Sequence, residues 1–221
     1  LIGGIGPAAT DYYYRKIIAA FAQLDAELEL TLAHADAPTL LRNLQNDDRK
    51  SQMEIYTRLT NRLKNTGADF VAITSIAGHF CIEEFKDESP LPVIDMIESV
   101  QEEIDLKGFS RLGIIGTEQV MRSEFYGALR KIKVVTPSPN LLKNVHEAYV
   151  SVASSGIVTA LQRETFNAAC TELIEDFGVD AVLIGGTDLA LVYDEESAVF
   201  PIVDCAAIHS RKVVSISYQK G

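Results

Sequence analysis

The sequence is short of the residues that build disulfide frameworks and metal sites. Its three cysteines are an odd number at wide spacing, which does not suit a disulfide framework or a zinc site. Its four histidines form no HxH or HExxH pattern, so a dedicated metal site is not supported. We predict that the three cysteines, Cys81, Cys170 and Cys205, are small buried apolar residues.

Long apolar runs and clusters of basic residues are also missing. No stretch approaches the roughly 20 apolar residues that a helix needs to cross a bilayer. The formal net charge is −11, and an acidic chain repels phosphate backbones and anionic lipid surfaces. The sequence therefore disfavours nucleic-acid and membrane binding. Because it starts at Leu1 without a methionine, we expect a few residues to precede it.

Nucleotide-binding fingerprints are absent as well. The first glycine-rich stretch, GGIGPAAT, is not a GxGxxG motif, and no acidic residue of the nucleotide-binding type accompanies it. There is no phosphate-binding P-loop. A nucleotide-binding Rossmann enzyme is therefore the least favoured alternative.

Short apolar runs alternate with longer helical patterns along the whole chain. Continuous apolar runs indicate strands covered on both faces, as in a parallel sheet, and the alternation indicates an α/β fold. We predict two pseudo-symmetric Rossmann-like (flavodoxin-like) lobes with mainly parallel sheets. The predicted strands are residues 1–4, 30–33, 70–74, 93–94, 112–115, 133–135, 181–184, 201–203 and 213–215, and the predicted helices include 10–24, 49–66, 97–106, 123–131 and 164–177.

Three segments of the first half recur in the second half. GADFVAITS, which ends at Ser75, is matched by GVDAVLIGG, which ends at Gly186; PVIDM recurs as PIVDC, and LIGGIG resembles LGIIGT. Their order is the same and their spacing nearly so, which predicts one lobe from residues 1–97 with 206–221 and another from 98–205. Ligands bind outside the carboxyl ends of strands in open α/β sheets. We therefore expect Ser75 and Gly186 on opposite walls of an interlobe cleft.

The loop after the first predicted strand of each half is a candidate for carboxylate binding. Thr10 ends GGIGPAAT, and Thr117 opens TEQVMRSEFY. Glycines let the backbone approach a ligand, and a helix N-terminus presents free N–H groups to an anion. For the first loop the alternative is a tight turn in which Thr10 is the helix N-cap.

Polar side chains also follow the two matched strands. The hydroxyls of Ser75 and Thr187 are candidates for binding a small ligand, and the alternative is that each caps the next helix. His79 lies about one helical turn beyond Ser75, so its ring is a candidate partner of that hydroxyl; the alternative is a helix-face residue bonded to a neighbour. Arg49 is a candidate clamp for a carboxylate, or else a solvated charge beside the aspartates of NDDRK.

Together these segments resemble the aspartate/glutamate racemase family. The resemblance covers nearly the whole chain in the family's order, through LIGGIGPAAT, GADFVAITSIAGH, PVIDM, GTEQVMRSEFYGAL, VHEAY, GVDAVLIGGTDLAL and PIVDCAAIH. It implies two pseudo-symmetric α/β lobes, an active site between them, no cofactor and, often, a homodimer.

The resemblance also implies two catalytic cysteines, and this chain departs from that pattern. In the family one thiol removes the α-proton of an amino acid and the other delivers a proton to the opposite face. The motifs read roughly CNTxH and GCTE, and Ser75 and Gly186 stand at the cysteine positions here. A thiol with a pKa of about 8.5 becomes a base readily, whereas a serine needs an adjacent base and glycine carries no proton. Cys205, after PIVD, is a candidate substitute.

Three functions stay open on this basis. The first is a cofactor-independent amino-acid racemase acting on the α-carbon of a small acidic amino acid. The second is a catalytically inactive relative that binds a small carboxylate metabolite, and the third is a one-base decarboxylase or lyase, for which one proton transfer suffices. We expect a cytoplasmic homodimer with no metal, cofactor, nucleic-acid or membrane partner. The candidate catalytic positions are Ser75, Gly186 and His79, and the candidate substrate-binding residues are Thr10, Arg49, Ile76, Ala77, Thr117 and Thr187.

Overall fold

The computed structural model describes residues 1–193 and 198–219, and its strands pair in parallel, which confirms the α/β prediction. Contacts along the chain divide it into two compact units. The first is Leu1–Ser99 with Ala206–Gly221, and the second is Val100–Cys205. Within the described ranges, no helix is both long and apolar enough to cross a membrane.

The first unit is built around four short parallel strands. β1 pairs with β2, β3 pairs with β4, and a parallel bridge between Ile2 and Ile73 joins the two pairs, so the strand order is β2-β1-β3-β4. A short 3₁₀ segment, Ile76–Cys81, follows β3. The elements are β1 (Ile2–Gly3), α1 (Pro7–Gln23), β2 (Ala33–His34), α2 (Ala37–Gln45), α3 (Arg49–Asn65), β3 (Val71–Ala72), α4 (Ile82–Glu88), β4 (Val93–Ile94) and α5 (Met96–Lys107), which continues into the second unit.

The second unit repeats this plan. Its four parallel strands have the order β6-β5-β7-β8, so β7 takes the place that β3 has in the first unit. A 3₁₀ segment, Thr187–Leu191, follows β7. The elements are β5 (Arg111–Gly116), α6 (Glu118–Arg122), β6 (Lys133–Val135), α7 (Pro139–Ser155), α8 (Ala160–Thr171), a π turn (Glu172–Asp176), β7 (Ala181–Gly185), β8 (Ile202–Asp204) and α9 (Cys205–Tyr218), most of which belongs to the first unit.

The matched segments of the sequence form matched local structures. Gly67 and Gly178 have φ of 92° and 61°, a left-handed conformation that glycine adopts without strain, and each ends the helical stretch before a strand. All five residues of β7 are buried, as are both residues of β3. Strands buried on both faces expose only their ends to a ligand, so Ser75 and Gly186 lie where each unit can bind one.

Two predicted elements are wrong. Residues 213–215 are not a strand, because they lie within α9, whose buried residues include Ile208 and Val213. Residues 123–131 are not a helix, because three successive residues, Glu124, Phe125 and Tyr126, have φ between 51° and 61° and turn the chain. Phe125 and Leu129 are buried at helical spacing without a helix, and this spacing misled the prediction.

The start of α1 also differs from the prediction. The helix begins at Pro7 and its N-cap is Gly6, which makes no side-chain cap. Proline suits the first turn because its missing N–H has no partner there in any case. Thr10 therefore lies inside the helix and is not its N-cap.

We predict that the capping box of α8 contributes measurably to the stability of the second unit. The Thr159 side chain accepts a hydrogen bond from the Gln162 N–H, and the Gln162 side chain accepts one from the Thr159 N–H. Thr159→Ala should lower the free energy of unfolding by about 1 kcal/mol in urea titrations. Thr165→Ala, in the same helix, should change it by less than about 0.5 kcal/mol. Equal effects of the two substitutions would contradict the capping role.

Candidate functional site

Ser75 is a buried hydroxyl at the end of β3. The Thr74 N–H donates to the Ile2 carbonyl at 3.0 Å, so the strand end is aligned with β1. Ser75 is 3% exposed, and its Oγ has no hydrogen-bond partner among the described residues. A buried polar group without a partner costs about 1–3 kcal/mol. A bound water or a ligand would supply the missing hydrogen bond.

Two threonines add further hydroxyls at this end of the sheet. The Oγ1 atoms of Thr10 and Thr74 lie 3.1 Å apart, and Thr74 Oγ1 donates to the Ile2 carbonyl at 3.3 Å. A Cβ at Gly3 would lie 2.5 Å from Thr10 Oγ1, so glycine at this position lets α1 close onto β1. The structure therefore brings the predicted residue Thr10 next to the strand end that carries Ser75.

His79 is held as a neutral ring by two backbone groups. Nδ1 donates to the Ser75 carbonyl at 2.7 Å, and Nε2 accepts from the Met96 N–H at 3.4 Å. Burial lowers the pKa of His79, although the Asp95 carboxylate opposes this effect. Since both nitrogens are occupied, the ring is not available as a base for the Ser75 hydroxyl. The structure therefore favours the alternative interpretation, in which His79 bonds its neighbours.

A second buried histidine, His209, packs against the first. The two rings meet edge to face with centroids 6.1 Å apart. The His209 Nε2–H donates to the Ile94 carbonyl and Nδ1 accepts from the Tyr13 hydroxyl, both at 2.8 Å. Burial, followed by the neighbouring His79, lowers the pKa of His209 to about 3. Sequence reasoning did not single out His209, although it ends the PIVDCAAIH segment.

The predicted clamp Arg49 is already bound to protein carboxylates. Its Nη1 lies 2.7 Å from Glu84 and its Nε lies 3.2 Å from Asp47. The hydrogen bond that Arg49 donates to Glu84 raises the pKa of the guanidinium, and 44% of the side chain is exposed. This arrangement fits the alternative of a surface charge held by neighbours. By contrast, the predicted residues Ile76 and Ala77 are fully buried directly after Ser75.

In the second unit Thr117 serves as a helix cap. It is buried, and its Oγ1 accepts the Val120 N–H at 3.2 Å at the start of α6. The next N–H, that of Glu118, donates to His146 Nδ1 at 3.1 Å. Both groups that would hold an anion at this loop are therefore used within the protein.

The end of β7 carries a tyrosine that the sequence analysis missed. Tyr149 of α7 is buried, and its hydroxyl donates to Asp188 Oδ2 at 3.1 Å. Burial, and then the charge of Asp188, raise the pKa of this phenol well above its usual value. Thr187 and Asp188 are fully buried in the turn that Gly186 precedes. In the sequence, Tyr149 ends the segment VHEAY, which has helical spacing, and Asp188 ends GGTD; these segments were the signals of the pair.

The cysteines are free and buried, as predicted. Burial raises the pKa of both Cys81 and Cys170 to about 12, so these two thiols keep their protons at neutral pH and are poor bases. Cys205 is fully buried at the first residue of α9. Among residues 1–193 and 198–219, no group of three or more histidine, cysteine, aspartate or glutamate side chains is arranged to hold a metal ion.

Comparison with known proteins adds a family and a fold. The family model described as Asp/Glu/Hydantoin racemase matches residues 2–213. The broad specificity amino-acid racemase RacX of Bacillus subtilis (strain 168) is 22% identical, over 99% of this chain and 98% of that protein. An aspartate racemase homologue from Pyrococcus horikoshii OT3 has a TM-score of 0.77 and 23% identity, over 98% of both chains. The aspartate racemase of Picrophilus torridus has a TM-score of 0.76 and 19% identity, over 98% of this chain and 92% of its own. At these identities the two structures show that the fold is shared.

We predict that the two buried histidines make the first unit sensitive to acid. In the unfolded state each histidine takes up a proton below a pKa of about 6.5. In the folded state His209 does so only near pH 3, and the pKa of His79 is also lowered. The unfolded state therefore binds more protons, and stability should fall as the pH drops below about 6.5, by up to about 1.4 kcal/mol per pH unit for each histidine.

Urea unfolding at several pH values between about 7.5 and 4.5 tests this prediction. The charged groups near His79 are Asp95 and Lys86, and both are present in every variant, so the comparison is between slopes. His209→Gln should flatten the dependence of stability on pH, whereas His34→Gln, at an exposed position, should leave it unchanged. Parallel curves for wild type and His209→Gln would contradict the prediction.

Proposed function

Since the chain belongs to the Asp/Glu/hydantoin racemase family, as the match over residues 2–213 shows, we propose that it is an amino-acid racemase acting without a cofactor on the α-carbon of a small acidic amino acid. The resemblance that the sequence predicts is confirmed at the level of the family. The substrate class and the residues of the site belong to the proposal. So do the homodimer and the cytoplasmic location expected from the sequence.

The observation that carries the proposal is the unpartnered hydroxyl of Ser75. It is buried at the end of β3, where open α/β sheets bind ligands, and the sequence resemblance aligns it with the family's first cysteine. A serine hydroxyl can donate to a carboxylate oxygen or accept from an ammonium group. A small amino acid therefore offers the groups that this atom lacks in the protein alone.

The surroundings of Ser75 suit a small polar ligand with an apolar side. The paired hydroxyls of Thr10 and Thr74 lie at the same strand ends, and Ile76 and Ala77 contribute buried apolar surface. We propose that these residues orient the ligand and exclude water from its α-carbon.

A second function, binding without racemisation, is favoured by a specific observation. Both nitrogens of His79 are bonded to backbone groups, so Ser75 lacks the adjacent base that its hydroxyl would need to act as one. Gly186 brings no proton. These two facts favour an inactive relative that binds a small carboxylate, or a one-base decarboxylase or lyase, over a two-base racemase. The experiment below separates these outcomes.

We predict that Ser75 matters for ligand binding and exchange and does not stabilise the fold. Proton NMR in D₂O, with L- and D-aspartate and L- and D-glutamate, measures loss of the α-proton signal. Ser75→Ala should abolish this exchange and weaken binding in calorimetry. Because its hydroxyl has no partner among the described residues, the substitution should leave the free energy of unfolding unchanged or raise it by up to about 1–3 kcal/mol.

Ser123→Ala is the control for this experiment. Its hydroxyl accepts the Tyr126 N–H at 3.0 Å, so its loss should cost about 1 kcal/mol of stability and leave exchange intact. Binding without exchange would support the inactive relative, and consumption of the amino acid would support the lyase. If none of the four compounds binds or exchanges, the proposed function is wrong.

A further inference from the structure

We infer that Tyr149 determines which residue position 186 accepts. Its ring fills the space that a side chain at position 186 would need, so the two residues act as a pair at the end of β7. This inference deepens the proposed function and rests on it only for the catalytic consequence. The steric part stands on the geometry of the second unit alone.

The backbone of Gly186 does not itself require glycine. Its φ of −151° and ψ of 110° are extended values that any residue adopts. The obstacle to a side chain is the ring of Tyr149. A Cβ built on Gly186 would collide with Cε2 and would lie 2.9 Å from Cδ2, closer than real Cβ atoms approach other atoms; its 3.1 Å distance from Cζ would also be tight. The three nearest atoms all belong to this one ring.

The ring cannot move aside easily. Tyr149 is 1% exposed, so its neighbours surround it on all sides. Its hydroxyl is tied to Asp188 Oδ2 at 3.1 Å, and Asp188 is itself fully buried. Rotating the phenol away from Gly186 would take its proton away from a buried carboxylate, which is costly without a replacement partner. The Tyr149 ring is therefore held in place against position 186.

The consequence concerns the second thiol of the family. A cysteine at position 186 would need the volume that the tyrosine ring occupies. The phenol does not replace the thiol as a base, because burial and Asp188 keep it protonated. Tyr149 is thus a specificity-determining residue for the strand end at Gly186. It excludes a thiol there, and restoring the thiol requires removing the ring as well.

The first test measures stability and needs no substrate. Gly186→Ala adds only the Cβ and should raise the equilibrium constant of unfolding about tenfold to a hundredfold, in the range of overpacked cores. The same change in a Tyr149→Phe background, which keeps the ring but loses its hydrogen bond to Asp188, should cost less than in the unchanged chain and more than in a Tyr149→Ala background. In a Tyr149→Ala background it should cost less than about threefold, because the obstacle is gone.

Gly113→Ala is the matched control. It lies in the same unit, and a Cβ there would meet the side chain of Leu173. Its cost should therefore be the same with and without Tyr149. Tyr149→Val serves as the second background if Tyr149→Ala does not fold. If Gly186→Ala leaves the stability of the otherwise unchanged chain within about twofold, the inference is overturned without any tyrosine variant.

The second test concerns catalysis. Gly186→Cys alone should be destabilised and should not increase inversion of aspartate or glutamate, followed by chiral chromatography. Gly186→Cys should cost less stability in a Tyr149→Ala background than in the otherwise unchanged chain, and the double variant should increase inversion over both wild type and Tyr149→Ala. A smaller cost with no inversion would overturn the catalytic consequence while the steric inference stands. Inversion by Gly186→Cys alone would overturn both.

Discussion

The structure depends on parallel strand pairing that buries each central strand on both faces. β5 and β7 are paired over five residues, and the two faces of β7 are fully covered. Chemistry is therefore confined to the strand ends, where the chain leaves the sheet. In each unit the third strand of the chain occupies the same interior place, so Ser75 and Gly186 are equivalent by topology as well as by sequence.

Two buried histidines of the first unit hold strand ends and helices together. His79 ties the Ser75 carbonyl to the start of α5, and His209 ties Tyr13 of α1 to the Ile94 carbonyl of β4. Each ring donates once and accepts once, which fixes a neutral tautomer. A site built on such groups is rigid and weakly basic. It can orient a carboxylate through hydroxyls, yet it supplies little driving force for removing an α-proton.

The sequence predicted those parts of the molecule that follow from local pattern. Continuous apolar runs located the central strands, and the repeated segments indicated equivalent strand ends. The prediction failed where the burial pattern does not match the backbone conformation. Phe125 and Leu129 have helical spacing, but the chain turns with positive φ at residues 124–127, and residues 213–215 look like a strand because one face of α9 is apolar. The sequence singled out Thr10 and Ser75 as candidate site residues, but it did not single out Tyr149. Its role depends on the missing Cβ of a residue distant in sequence, which no pattern records.

The sequence resemblance aligns Ser75 and Gly186 with the family's two cysteines, and the two strand ends differ from that pattern in physically different ways. Ser75 has a side chain that is less reactive than a thiol but still polar, and its oxygen has no partner among the described residues. At Gly186 the side chain is gone, and a tyrosine from another helix fills its volume. The first change preserves a place for a ligand, whereas the second removes a reactive group and closes the space behind it. Two-base inversion needs a proton-bearing group on each side of the α-carbon, whereas binding a small acid needs only a polar group such as the Ser75 hydroxyl. The first strand end therefore keeps a group that a ligand can bond, and Gly186 at the second strand end supplies neither an acid nor a base.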